Sequence, residues 1–272
     1  MRLANYRRIF LTIAFALMAL ALMFAVPSGA VYSAAAETVF DAEAIAAELA
    51  DVILPVYNIA YLPVDLEEPG REPIEANFTQ TGYSDETIIV KIEEVRAYDS
   101  TFHIAYVKIA TPTQLRTAIA GSFGSGRTLK PTVFSQSMNA VVLINGDYYS
   151  KTDTGNGYIV RQGETHRWRA SNRTDLLLID ENSDFHIILH GDDKSVEEDA
   201  VDAYQKEHEI INAFYFGPAL VVDGEQLAIP EEYLGDPTDD NPRAAIGQLA
   251  PLTYVLVTVD GRTSESEGIT VA

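Results

Sequence analysis

Apolar and charged positions alternate from Thr87 to Tyr98, with Ile88, Val90 and Ile92 set against Lys91 and Glu93, and Thr101 to Ala110 repeats the period. This alternation predicts two half-buried strands, and Asp99-Ser100 between them predicts a tight hairpin. His103 falls on the polar phase and is expected to face solvent. Ala140 to Ile144 is apolar without alternation and predicts a buried strand that delivers Asn145 and its neighbours. Further strands are expected at Gly157 to Arg161, Thr174 to Asp180, Phe185 to His190, Ile211 to Phe216, Ala219 to Asp223, Arg243 to Gln248 and Thr253 to Asp260. Helical spacing appears in Asp41 to Asn58, through Ile45, Leu49, Val52 and Ile53, with Pro55 disturbing its end. Ser195 to His208 reads as a second, acidic helix. Tyr61 to Asp85 is rich in proline, glycine and acids and reads as a linker, which would make the first helix a stalk or lid. Pro112 to Thr128 reads as a capped helix or loop whose Gly121, Gly124 and Gly126 serve turns, since no Lys-Ser/Thr follows them as in a phosphate loop. The pattern predicts an α+β domain over residues 86–272, with a large mixed or antiparallel β-sheet and flanking helices.

The first 36 residues stand apart. Arg2, Arg7 and Arg8 precede an apolar run from Ile9 to Val26 broken only by Thr12, and Pro27, Gly29 and small residues follow. This is the order of an export signal cleaved after Ala30 or Ala36. An uncleaved anchor helix is the competing reading, because the run is just long enough to span a bilayer. Both place the remainder outside the cytoplasm, secreted or held on the outer face of the membrane. The expected organisation is therefore signal or anchor over 1–36, helix and linker over 37–85, and one domain after that.

Composition narrows the function classes. The chain carries 47% hydrophobic residues, so it can build a sizeable core. It has no cysteine, which excludes disulfides and thiolate-bound metals. The net charge is −21, and nucleic acid and anionic lipid are therefore unsuitable partners. An anionic substrate would need a local positive island; Arg161, Arg167, Arg169 and Arg173 form the one arginine gathering, which equally reads as solvated strand faces. The histidines show no metal spacing, so neither a bound metal nor another cofactor is expected. His186 and His190 lie in strand-like sequence and need not share a face. Asp153 and the Asp236 to Asp240 stretch could bind calcium as acidic loops.

Two segments place polar side chains at strand ends beside glycine. In Asn145-Gly146-Asp147-Tyr148-Tyr149, Gly146 permits close backbone approach, Asn145 and Asp147 can point to one cavity, and Tyr149 or Tyr148 offers a stacking face for a sugar. An ordinary turn is the alternative. In Asn241-Pro242-Arg243-Ala244-Ala245-Ile246-Gly247, Arg243 opens an apolar strand and offers a donor fork suited to phosphate. Asp260-Gly261-Arg262 ends the next strand, as a site or as a surface salt-bridged turn.

These segments, with Gly157-Tyr158-Ile159-Val160-Arg161, Phe216-Gly217-Pro218-Ala219-Leu220 and Val259 to Gly268, occur in the order seen in phosphodiester glycosidases. The chain from Thr87 onward resembles that family, which includes the uncovering enzyme and many exported bacterial members. The resemblance implies cleavage of the bond between sugar C1 and phosphate in a sugar phosphodiester, here of an envelope or extracellular glycan. It also implies a further helix and a Leu-Asp-Gly-Gly-Gly-Ser-like segment beyond Ala272, so the domain is expected to be incomplete at its C-terminus. Ala244 stands where members usually have threonine. In the expected roles Arg243, helped by Arg262 or Arg161, binds phosphate. Asp147 or Asp260 steadies the oxocarbenium-like centre or directs water, and Asn145 binds a sugar hydroxyl. A non-catalytic module that binds a glycan or polymer phosphate, and a structural partner in exopolysaccharide assembly, are the alternatives from other classes.

Overall fold

The computed structural model describes residues 47–49, 70–147, 157–171 and 173–271. The proposed signal or anchor, most of the helix expected at Asp41 to Asn58, and Tyr148, Tyr149 and Asp153 lie outside the described residues. The chain is mostly β-sheet with few helices, consistent with α+β. Its strands are β1 (Phe78–Thr79), β2 (Gly82–Ser84), β3 (Ile88–Ala97), β4 (Ser100–Ile109), β5 (Ile159–Arg161), β6 (Glu164–Arg167), β7 (Leu176–Asp180), β8 (Phe185–Ile188), β9 (Ile210–Tyr215), β10 (Val221–Val222), β11 (Glu225–Gln226), β12 (Arg243–Ala250) and β13 (Thr253–Val259). The α-helices are α1 (Pro131–Met138) and α2 (Lys194–Gln205). No helix among the described residues is long and apolar enough to cross a membrane.

Two antiparallel sheets replace the single large sheet expected. One has six strands in the order β1-β2-β3-β4-β13-β12, and the other has five, in the order β6-β5-β9-β7-β8. The first sheet is apolar on both faces, because its strands carry core residues in both phases. Tyr83, Val90, Val107, Ile109 and Tyr254 form one cluster, while Tyr106 and Leu249 pack with Leu49 on the other side. Lys91 Nζ pairs with Glu48 Oε1 at 2.6 Å, and Lys108 Nζ donates to the Leu49 carbonyl at 2.6 Å. Helical residues 47–49 are therefore packed on the sheet rather than carried on a free stalk.

In the second sheet, period two puts Val160, Leu176, Leu178 and Ala213 on one face, where they pack with Val201 and Tyr204 of α2. Asp193 caps that helix, its Oδ1 accepting the Ser195 N–H at 2.9 Å. Ile159, Arg161, Leu177, Ile179 and Phe214 occupy the opposite face. That face looks across a cavity at Val107, Ile109 and Tyr254 of the first sheet.

Several local expectations shift for identifiable reasons. The β3–β4 turn is centred on Tyr98 and Asp99, both at positive φ, so the hairpin sits one residue earlier. β1 and β2 fall inside the stretch read as linker, with β2 paired to β3. Ala140 to Ile144 is not a strand. Consecutive residues from Ala140 to Asp147 all line the cavity, so the segment runs between the sheets and joins neither ladder. An unbroken apolar run suits such a wedge as well as it suits a strand. Ala219 to Asp223 supplies β10, which pairs only with β11 across an Asp223-Gly224 turn at positive φ.

Candidate active site

The space between the sheets is a cavity of about 810 Å³. Its walls are mainly aliphatic and aromatic, and one region carries Asn145, Gly146, Asp147 and Arg161 together. Ligand sites have this character: an apolar body with a few fixed polar groups.

Arg161 ends β5 and is only 4% exposed. Its Nη1 donates to the carbonyls of Val160 at 2.8 Å and Ala213 at 2.6 Å, and its Nη2 donates to Asp147 Oδ2. The guanidinium lies 4.0 Å from the Phe214 ring centroid, a cation–π contact that fixes its plane. Burial pulls its pKa down to about 10, and it stays charged at neutral pH. The remaining donors, Nε–H and one Nη2–H, have no acceptor among the described residues. Asp147 completes the pair and also accepts the Tyr215 N–H at 3.3 Å through Oδ1. Its side chain is 32% exposed, so one side of the carboxylate stays open to a substrate. Gly146 is required by packing, since a Cβ there would sit 2.6 Å from Phe214 Cε1. Asn145 lines the cavity and is exposed.

The other expected residues lie elsewhere. Arg243, Asp260 and Arg262 do not line the cavity, although Ala244, Ala245 and Ile246 do. Arg243 was expected on phosphate, but its donors go to the backbone. Nε donates to Ile269 O at 3.1 Å and Nη1 to Gly235 O at 3.1 Å; Nη2 donates to Asp236 O and Asp239 O, each at 2.7 Å. The acidic loop considered for calcium thus turns two carbonyls, those of Asp236 and Asp239, toward an internal cation. Asp260 Oδ2 sits 3.3 Å from His103 Nε2 at an exposed position, and its carbonyl accepts from Ser266 Oγ at 2.7 Å. Arg262 donates to Asn241 Oδ1. Gly261 and Gly268 are needed because a Cβ at either would reach within 2.6 Å of the Asn241-Pro242 backbone. This second group is a structural corner. It knots the start of β12 to the end of β13, and the fold does not bring Arg243, Asp260 and Arg262 to the cavity with Asn145 and Asp147. Of the four clustered arginines, only Arg161 reaches the cavity; Arg167 lies 5.5 Å from the Phe123 ring centroid, and Arg169 and Arg173 are exposed. Tyr149 lies outside the described residues.

One supporting residue escaped the sequence reading. Asp175, 5% exposed, precedes β7 and accepts the backbone N–H of His190 and approaches His190 Nδ1, both at 2.8 Å, through Oδ1. Its Oδ2 accepts the Ala219 N–H at 2.7 Å. It thereby anchors the segment carrying Phe216, a cavity-wall residue. The only signal was an acid immediately before an unbroken apolar strand.

Comparison with curated proteins finds no match to the chain. Residues 138–272 match the family model described as phosphodiester glycosidase, starting at the end of α1 rather than at Thr87. The matched span holds both glycine-flanked segments and all the second-sheet strands, and this part of the chain belongs to the phosphodiester glycosidase family.

Proposed function

We propose that this protein hydrolyses the glycosyl–phosphate bond of a sugar phosphodiester at the cavity wall formed by Asn145, Asp147 and Arg161. The observation that carries the reading is the Asp147–Arg161 pair. It sets a partly open carboxylate beside a buried guanidinium in a mainly apolar space. In hydrolysis, water adds to C1, the C1–O bond to phosphorus breaks, and a phosphate monoester leaves with free reducing sugar. A phosphate monoester ionises for the second time near pH 6. It is a far better leaving group than a sugar alkoxide, so charge neutralisation can stand in for a strong general acid. Arg161 takes the phosphate role, using the donors it does not spend on carbonyls or on Asp147. Asp147 stabilises positive charge at C1 or orients the water, and Asn145 binds a sugar hydroxyl. Placement outside the cytoplasm, inferred from the first 36 residues, would make an envelope or extracellular glycan the source of substrate.

The test is product analysis with a panel of glycosyl phosphodiesters. Release of reducing sugar and phosphate monoester in equal amounts, lost in Asp147→Asn, supports hydrolysis. The same loss of charge partners that moves Arg243 and Asp260 out of the site favours a second reading, a glycan- or phosphate-binding module. Saturable binding of the panel without product from any member would establish that reading and remove the first.

A further inference from the structure

We propose that Asp180, Glu181 and His208 bind a divalent transition-metal cation of the zinc class, at a site separate from the cavity. Asp180 ends β7 and is 2% exposed. Its Oδ1 accepts the N–H groups of Asn182 at 2.8 Å and Asp184 at 2.9 Å, which leaves Oδ2 directed elsewhere. That oxygen lies 3.2 Å from His208 Nδ1 and receives the Tyr204 hydroxyl at 3.2 Å. Glu181 divides its oxygens in the same way. Oε2 accepts the Glu209 N–H at 2.8 Å, and Oε1 lies 3.7 Å from His208 Nδ1. Each carboxylate therefore fixes itself to the backbone with one oxygen and offers the other to the same imidazole nitrogen. All three ligand atoms lie within 4.8 Å of one another.

The nitrogen supplies an independent observation. Nδ1 of His208 is buried and makes no hydrogen bond, despite two carboxylate oxygens close by. A tetrahedral cation with bonds of about 2.0–2.2 Å needs ligand atoms about 3.3–3.6 Å apart. The two separations from Nδ1 fall on either side of that range and need shifts of only tenths of an ångström.

Charge and orientation agree with this assignment. Asp184, close by, has its carboxyl pushed up by burial, with the Asp180 and Glu181 charges adding to the effect and His208 opposing it. Two carboxylates thus share a single imidazole. The His208 ring is held by stacking on Tyr204 at 4.6 Å, and Tyr204 in turn stacks on His186 at 4.2 Å. A ligand imidazole held in this way loses little freedom on binding. The nitrogen-and-oxygen donor set suits zinc, cobalt or nickel, whereas calcium takes oxygen only. His208 and Glu181 keep side-chain exposures of 35% and 29%, so water can reach the fourth position. A bound ion would tie the end of β7 to the chain leaving α2.

Titration of the chelator-stripped full chain with cobalt(II) tests the site. The expected result is one ion per chain with the visible absorption of four-coordinate cobalt, displaced by zinc and unaffected by calcium. His208→Ala should weaken binding by more than the roughly 10–100-fold that loss of an outer partner costs. Glu181→Gln keeps an acceptor for the Glu209 N–H, so it tests the site even where the histidine variant fails to fold. His190→Ala should bind as the parent does. The proposal is overturned if neither ion binds, or if binding survives both ligand substitutions unchanged.

Discussion

Replacing Arg243 by alanine separates a structural arginine from a catalytic one. The guanidinium donates to four backbone carbonyls, at Gly235, Asp236, Asp239 and Ile269. A hydrogen bond from a charged donor contributes about 1.5–3 kcal/mol where it is buried, and less where water can replace the donor. The two bonds from Nη2 are exposed, and the other two are partly buried. Counting the exposed pair at about 0.5 kcal/mol each and the others at about 1–1.5 puts the loss at about 3–4 kcal/mol. Arg243→Lys should recover only part of this, because one ammonium cannot reach all four acceptors in a plane. Urea unfolding followed by fluorescence of Trp168 measures the difference, with the slope checked for constancy between variants. An Arg243→Ala protein within about 1 kcal/mol of the parent, yet inactive on a sugar phosphodiester, would return the residue to the substrate and refute the clamp.

The remaining expectations concern the cavity and α2. Arg161→Met should strand the Asp147 carboxylate and cost about 2–3 kcal/mol, below the usual range for a buried pair because Asp147 is partly exposed; adding Asp147→Asn should restore stability in thermal melts but not hydrolysis. Gly146→Ala should drive Cβ into Phe214, displace the ring under Arg161, and lower both kcat/KM and the unfolding midpoint. Burial pushes the Glu197 carboxyl up to about 7, despite the Ser171 N–H it accepts, so the folded state holds a proton that the unfolded chain releases. Its contribution to stability is therefore largest below the ordinary glutamate range and declines as pH rises toward 7, by on the order of 2–3 kcal/mol. Glu197→Gln should remove that part of the slope when urea midpoints at pH 5 and pH 8 are compared. Unchanged slopes would show that Glu197 ionises normally.

Local elements were legible because a short period betrays them. The β3–β4 hairpin, β12, β13 and α2 all follow patterns confined to their own residues. The division into two sheets was not legible, since β13 pairs with β4, far earlier in the chain, and no local pattern names a partner. At the cavity, the polar groups that the sequence singled out at Asn145, Asp147 and Arg161 do meet in the fold. The same logic did not foresee the backbone partners of Arg243, because a fork of donors that fits phosphate also fits the carbonyls of a tight loop. Sequence reveals the donors but not which acceptors folding will bring. His208 and Asp180 were missed for a related reason: the residues meet only after α2 has folded back beside β7.

The pairing of β4 with β13 sets a timetable for the nascent chain. The second sheet draws all its strands from residues 159–215 and can close while synthesis continues, but β4 must wait for Thr253 to Val259. At about 5–20 residues per second, the ribosome takes roughly 7–30 s to cover that gap. Throughout it, the row of peptide groups along Ser100 to Ile109 stands open beside Phe102, Ile104 and Tyr106. Such a rim recruits strands from other molecules, so yield of intact protein should depend on how quickly the last strands emerge or on a chaperone that shields the waiting hairpin.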